Sequence, residues 1–154
     1  MKDTKEPIKS IEIVTTQLVK ERVQPYETSV TSVITAACYL LPFFRGLDRE
    51  AFYLMCLNNR NDPTNISLIS LGSSTSAQVE FMQIFKVAIL SNSNRFIVAH
   101  NHVSGSKEIS KADESITFRL KQAGMIMGIE LLDHLIFYGE GPRDFISLKD
   151  EGHI

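Results

Sequence analysis

The chain has 154 residues, 44% of them apolar and 22% charged, which is the make-up of one ordinary globular domain and excludes a collagen-like fibre or a large multidomain enzyme. A domain of this length buries roughly 68–70% of the surface its unfolded chain exposes, so neither a disulfide nor a metal is needed merely to hold a core. Sixteen basic residues against 18 acidic ones give a formal charge of -2, which lacks the electrostatic footprint of a dedicated nucleic-acid binder.

Basic residues lean toward the N-terminus (Lys2, Lys5, Lys9, Lys20, Arg22), but Asp3, Glu6, Glu12 and Glu21 are interleaved and make this a solvated face. Cys38 and Cys56 each lie inside an apolar run and read as small buried hydrophobes in a reducing compartment. The opening MKDTKEPIKS has no apolar core of a signal peptide, and no segment reaches the ~18 apolar residues of a membrane span. These features predict a cytoplasmic protein.

In chain order, residues 1–10 are polar and expected to be a flexible terminus, and 11–152 form the domain. Ile11 to Val19 is rich in β-branched residues and suits an edge strand or an extended arm. SVITAACYLLPFF, from Ser32 to Phe44, predicts a buried helix with Ser32 as N-cap, closed by Pro42. AFYLMCLN (51–58) and ISLISLG (66–72), separated by turn-forming NNRNDPTN, predict a β-hairpin. After Ser76, AQVEFMQIFKVAILS predicts an amphipathic helix with Val79, Met82, Phe85 or Lys86, and Ile89 on its apolar face.

RFIVA (95–99) then reads as a short buried strand, and residues 110–128 as a helix with Ile116, Leu120, Ala123 and Met127 inward and Gly128 as C-cap. IELLDHLIFYG (129–139) is an apolar strand interrupted by Asp133 and His134, and DFISL (144–148) is a last strand. The expected fold is mixed α/β, a central mixed sheet flanked by helices.

Chemistry concentrates at His100-Asn101-His102-Val103-Ser104-Gly105, directly after the strand. Residues i and i+2 of an extended chain point to one side, so His100 and His102 can present two imidazoles to one point. Ser110 opens the next helix and Asp113 lies in its first turn, where a short returning loop brings a carboxylate beside the imidazoles. Three such ligands with a fourth position left for water is the count of a catalytic zinc site. Ser110 and Asp113 are equally a good N-cap and N3 pair, which by itself explains both residues without a metal. The conjunction H-x-H-x7-S-x2-D, however, arises by chance in a chain of this length less than about once in a thousand.

This pattern, with GLDREAFYLMCLN, FKVAIL, AHNHVSG, SKAD and LLDHLI in order from about Ile11 to Gly152, resembles the RadC-like branch of the JAMM (MPN+) metalloproteases. The resemblance implies a single-domain JAMM/MPN-like fold and a zinc-dependent hydrolase that cleaves a peptide or isopeptide bond of a protein or peptide substrate. It implies Zn2+ held by His100, His102 and Asp113, a Ser110 hydroxyl that steadies the tetrahedral intermediate, and Glu50 as the upstream acid that activates water. Glu12, Glu80 and Glu108 compete with Glu50 for that role. Val103 stands where the family usually has proline, which predicts a less stiff segment up to Ser110.

Asp133 and His134 are either a polar pair satisfied within the core or partners that orient a ligand through its other ring nitrogen. His153 belongs to an exposed tail. The family name carries an association with DNA repair, so the alternative function is a non-catalytic or weakly catalytic protein-interaction module acting with DNA-repair or replication partners. Neither a helix-turn-helix nor an aromatic-basic platform is present, and a metal-dependent nuclease would favour oxygen-rich ligands over this histidine pair. Oligomeric state and exact substrate have no code in the sequence.

Overall fold

The computed structural model describes residues 11–72 and 77–154, with side chains in the second helix described from Phe81 onward. The flexible terminus expected at 1–10, and Val79 and Glu80 as side chains, lie outside the described residues. Helix α1 spans Val33–Leu40 and runs into a short 3-10 turn at Leu41–Phe43. Strands β1 (Ala51–Leu57) and β2 (Pro63–Leu71) follow, then α2 (Ala77–Leu90), β3 (Arg95–Asn101), α3 (Lys111–Met127), β4 (Glu130–Phe137) and β5 (Phe145–Ser147).

The five strands form one mixed sheet in the order β2-β1-β3-β4-β5. The β1/β2, β1/β3 and β4/β5 pairs are antiparallel, and β3/β4 is parallel, joined through α3. Both sheet faces are covered. On one, Ala36, Ala37 and Leu40 of α1 pack with Met55, Leu57, Ile97, Ala99, Leu135 and Phe137. On the other, Ile84, Phe85 and Ala88 of α2 and Ile116 and Leu120 of α3 pack with Phe52, Leu54, Phe96, Val98 and Leu131. This three-layer arrangement explains why β1 and β3 are nearly continuous apolar runs: both sides of each strand are dry.

Local chemistry sets the boundaries. Ser32 Oγ accepts from Thr35 N and starts α1 as expected. Gly128 ends α3 in the left-handed conformation at φ 69°, and Ile129 N–H closes on the Gly124 carbonyl. Gly124 itself has no room for a side chain, since a Cβ there would lie 2.3 Å from the Ile129 carbonyl oxygen. Pro63 is tolerated as the first residue of β2 because that strand is an edge.

Several sequence expectations need correction. Of the two alternatives for Ile11 to Val19, an edge strand or an extended arm, the strand does not form: Ile11, Ile13 and Val19 are all largely exposed, and β-branched content without a pairing partner or a buried face does not make one. Helix α1 is buried on one face only, with Ile34 and Cys38 exposed, so Cys38 is not the buried hydrophobe expected of it. In α2 the inward stripe is Ile84, Phe85, Val87 and Ala88, whereas Met82 and Ile89 face solvent. In α3, Ile116 and Leu120 point inward as expected, but Thr117 and Gly124 complete the stripe and Met127 is half exposed. No described helix is long and apolar enough to cross a membrane.

Candidate metal centre

Strand β3 runs two residues further than RFIVA predicts, so His100 lies inside the sheet, where it pairs with Phe52 of β1 and Ile136 of β4. His102 follows just beyond the strand end and faces the same side. The loop returns at once: Gly105 N–H donates to the His102 carbonyl with φ 74° at the glycine, and His102 Nδ1 hydrogen-bonds to the Ser106 carbonyl at 3.0 Å. Ser106 N–H donates to Ser104 Oγ and Glu108 N–H to Ser106 Oγ. Those bonds give the segment after Val103 an internal brace that needs no proline.

Asp113 arrives from the first turn of α3. Its Oδ1 is 3.2 Å from His100 Nε2, its Oδ2 is 3.7 Å from His102 Nε2, and the two Nε2 atoms are 3.1 Å apart. Zinc with ligand bonds of about 2.0–2.1 Å in a tetrahedron sets neighbouring donors roughly 3.3–3.4 Å apart, close to the separations of the two Nε2 atoms and of His100 Nε2 from Oδ1. The donor chemistry fits as well. A carbonyl only accepts, so His102 Nδ1 carries the proton toward Ser106, and the Nε2 of the neutral ring offers its lone pair to the centre. The three residues are thus a group able to hold a metal ion. Burial alone raises the Asp113 carboxyl, but the His100 imidazole beside it and the hydrogen bonds from Ser110 outweigh it and hold the group well below the usual carboxylate range.

Ser110 serves as the N-cap of α3. Its Oγ accepts from Asp113 N–H, and Asp113 Oδ2 accepts from Ser110 N–H and Oγ–H, a complete capping box. The cap and the ligand are therefore the same residues: Oδ2 is occupied by Ser110 while Oδ1 faces His100.

Glu50 precedes β1 and its side chain is exposed. Phe52 pairs with His100 in antiparallel register, so continuing that register by two residues sets Glu50 beside His102, at the same end of the sheet. The competitor Glu12 lies on the exposed arm, and Glu108 is exposed on the loop. His153 is exposed, 3.5 Å from Glu114.

Two contributors escaped the sequence reading. Asn101, between the histidines, points the opposite way; its Oδ1 accepts from Ala51 N–H at 2.7 Å and its Nδ2 donates to the Arg49 carbonyl at 3.2 Å. Thr117, one turn after Asp113, is fully buried and hydrogen-bonds to both the Asp113 carbonyl and His134 Nδ1. The i+4 spacing from Asp113 was the available signal.

The Asp133/His134 alternatives resolve differently for each residue. Asp133 accepts from His134 N–H, Ser147 Oγ–H and Lys149 N–H, which is a structural role in tying β5 and the chain after it to β4. His134 is 0% exposed and its Nε2 lies 2.8 Å from His100 Nδ1. Burial, reinforced by the neighbouring His100, keeps its pKa well below the usual histidine value.

Phe52 completes the wall, stacked on His100 with ring planes 5° apart and centroids 5.9 Å apart.

A mixed α/β domain with a His-His-Asp donor cluster at the carboxyl end of a central strand, able to hold a metal ion, has the architecture of a JAB/MPN-like fold. The RadC-like JAB domain family model matches residues 30–153, and the chain belongs to that family. It is 45% identical over 108 residues to a UPF0758 protein of Desulfitobacterium hafniense (strain DSM 10664 / DCB-2), covering 70% of this chain and 46% of the relative. It is 35% identical over 132 residues to a UPF0758 protein of Staphylococcus aureus (strain bovine RF122 / ET3-1), covering 86% and 57% respectively. The chain thus spans about half the length of the relatives it matches.

Proposed function

We propose that this domain is a zinc-dependent hydrolase of JAMM type that cleaves a peptide or isopeptide bond in a protein or peptide substrate in the cytoplasm. The observation that carries this reading is the convergence of His100 Nε2, His102 Nε2 and the Asp113 carboxylate: the two nitrogens are 3.1 Å apart, Oδ1 is 3.2 Å from the first and Oδ2 3.7 Å from the second. Zinc bound there supplies Lewis acidity, polarising an amide carbonyl and bringing the pKa of water toward ~7. Glu50, on the β1 side of the same mouth, takes the proton from the attacking water and returns it to the leaving amine. Ser110 Oγ donates to the developing oxyanion, for which its proton turns away from Asp113 Oδ2. The buried Phe52 ring keeps water from one flank of His100.

The test is the metal content of protein purified without added zinc, beside His100→Ala and Asp113→Ala. The expected result is about one zinc per chain in the parent and little in either variant. Near-zero zinc in all three overturns the ligand assignment.

The second reading, an interaction module for DNA-repair or replication partners, is favoured by one observation: the Ser110 hydroxyl is already fully engaged as a helix cap. It predicts that Asp113→Ala abolishes zinc binding while leaving partner binding intact.

A further inference from the structure

We infer that Thr117 and His134 are positioning residues that fix the tautomer of His100 and tie two of the proposed metal ligands, His100 and Asp113, together through one buried chain of hydrogen bonds. This deepens the zinc reading above and rests on it.

The direction of each bond follows from the one group that has no choice. Thr117 Oγ1 lies 2.5 Å from the Asp113 carbonyl oxygen, which can only accept, so the single hydroxyl proton of Thr117 points there. Were that proton given to His134 instead, two oxygens would face each other at this distance with nothing between them. Thr117 Oγ1, its proton spent, therefore accepts from His134 Nδ1–H at 2.6 Å. The ring of His134 is enclosed on all sides and neutral, so its Nε2 is bare and accepts from His100 Nδ1–H at 2.8 Å. With Nδ1 committed, Nε2 is the His100 atom turned toward His102 and Asp113.

The hydrogen-bonded chain runs from His100 on β3 to His134 on β4, to Thr117 on α3 and on to the Asp113 carbonyl. On the near side the bare His100 Nε2 and Asp113 Oδ1, both acceptors, face each other at 3.2 Å, the place where a cation would lie between them. Three elements that bracket the mouth of the site are tied by side chains with no exposed surface at Thr117 or His134. A ligand imidazole whose far nitrogen is held in this way cannot rotate or swap tautomer without breaking a buried bond. The far nitrogen of His102, by contrast, is held by a loop carbonyl, so this chain belongs to one ligand of the pair.

The experiment combines long-range 1H–15N correlation spectra, which read imidazole tautomers, with zinc dissociation constants from chelator competition. His134 is expected as the Nδ1–H tautomer in both metal-free and zinc-loaded protein. Thr117→Val, nearly isosteric, is expected to weaken zinc binding about tenfold, Thr117→Ser to restore it, and His134→Gln to weaken it roughly 10–100-fold. A merely structural Thr117 would shift the melting temperature without moving the His134 tautomer or the zinc constant. Finding His134 as Nε2–H in the unaltered protein, which requires no variant to fold, overturns the chain, as does a folded Thr117→Val with an unchanged zinc constant. If the parent protein binds no zinc, the metal reading fails and this inference with it; if it binds zinc and the tautomer is wrong, only the chain fails.

Discussion

Asn101 grips the backbone on both sides of Glu50, accepting from Ala51 N–H and donating to the Arg49 carbonyl. Strand alternation makes this possible: two imidazoles face the metal site, and the residue between them faces the start of β1. A side chain on the far side of β3 thereby fixes where the proposed base begins. Glu50→Gln should leave zinc binding intact and lower peptide-cleavage turnover by 10²–10⁴, the usual contribution of a positioned acid–base group. Asn101→Ala should also spare zinc yet lower turnover, and it should destabilise the fold by about 1–3 kcal/mol because Ala51 N–H loses its partner in a buried setting. Turnover unchanged in Glu50→Gln would transfer the base role elsewhere; zinc analysis and urea melts on both variants complete the comparison.

Ser110 carries two loads that one substitution can separate. As the N-cap of α3 it satisfies Asp113 N–H, and losing such a cap costs about 1 kcal/mol, or about 2–4 °C for a domain of this size. As an oxyanion donor it would be worth 10²–10³ in rate. Ser110→Ala should lose both. Ser110→Gly, which caps nearly as well as serine but has no side-chain donor, should recover most of the melting temperature without the rate. Recovery of both by glycine would mean that the hydroxyl matters only as a cap.

The spacing of His100, His102, Ser110 and Asp113 was readable because it depends on local rules: alternation along a strand and the first turn of a helix. The choice between Asp133 and His134 was not readable, because a bulge decides it. Phe96 pairs with Leu131 but the next residue, Ile97, pairs with Asp133, leaving Leu132 as an extra residue in β4. Leu131 packs toward α2 and α3, so simple alternation would send His134 to the α1 side; the bulge reverses the parity and turns it to His100 instead. Nothing in LLDHLI announces that insertion. The same limit applies to α2, where two overlapping apolar stripes exist and only the contact with the sheet selects Ile84, Phe85 and Ala88 over Met82 and Ile89. Glu50 is legible only by register with His102, a long-range relation.

Asp133 gives the fold a pH signature. Burial raises its carboxyl above the usual value, ahead of the opposing hydrogen bonds from Ser147, Lys149 and His134. An aspartate with a raised folded pKa binds its proton more tightly in the folded state. Its contribution is therefore most favourable below the unfolded value of about 3.9 and is lost as pH rises through the folded pKa. Asp133→Asn removes that titration. The stability difference between parent and variant, from urea melts across the acid range, should shift against the parent as pH rises and then level off. A flat difference would show that the hydrogen bonds balance burial, and one that moves toward the parent that they outweigh it.

The two cysteines should separate cleanly by reactivity. Cys38 is exposed on α1, whereas Cys56 is 0% exposed in β1 and burial pushes its thiol pKa up. The thiolate is the reactive form, so burial protects Cys56 twice, by blocking the reagent and by suppressing ionisation. Native protein treated with a disulfide reagent should release one equivalent of chromophore quickly and the second only when denatured. Cys38→Ser should abolish the fast phase with little change in stability, because Cys38 is exposed. Two fast equivalents in the native state would mean that β1, and with it the partner strand of His100, opens readily.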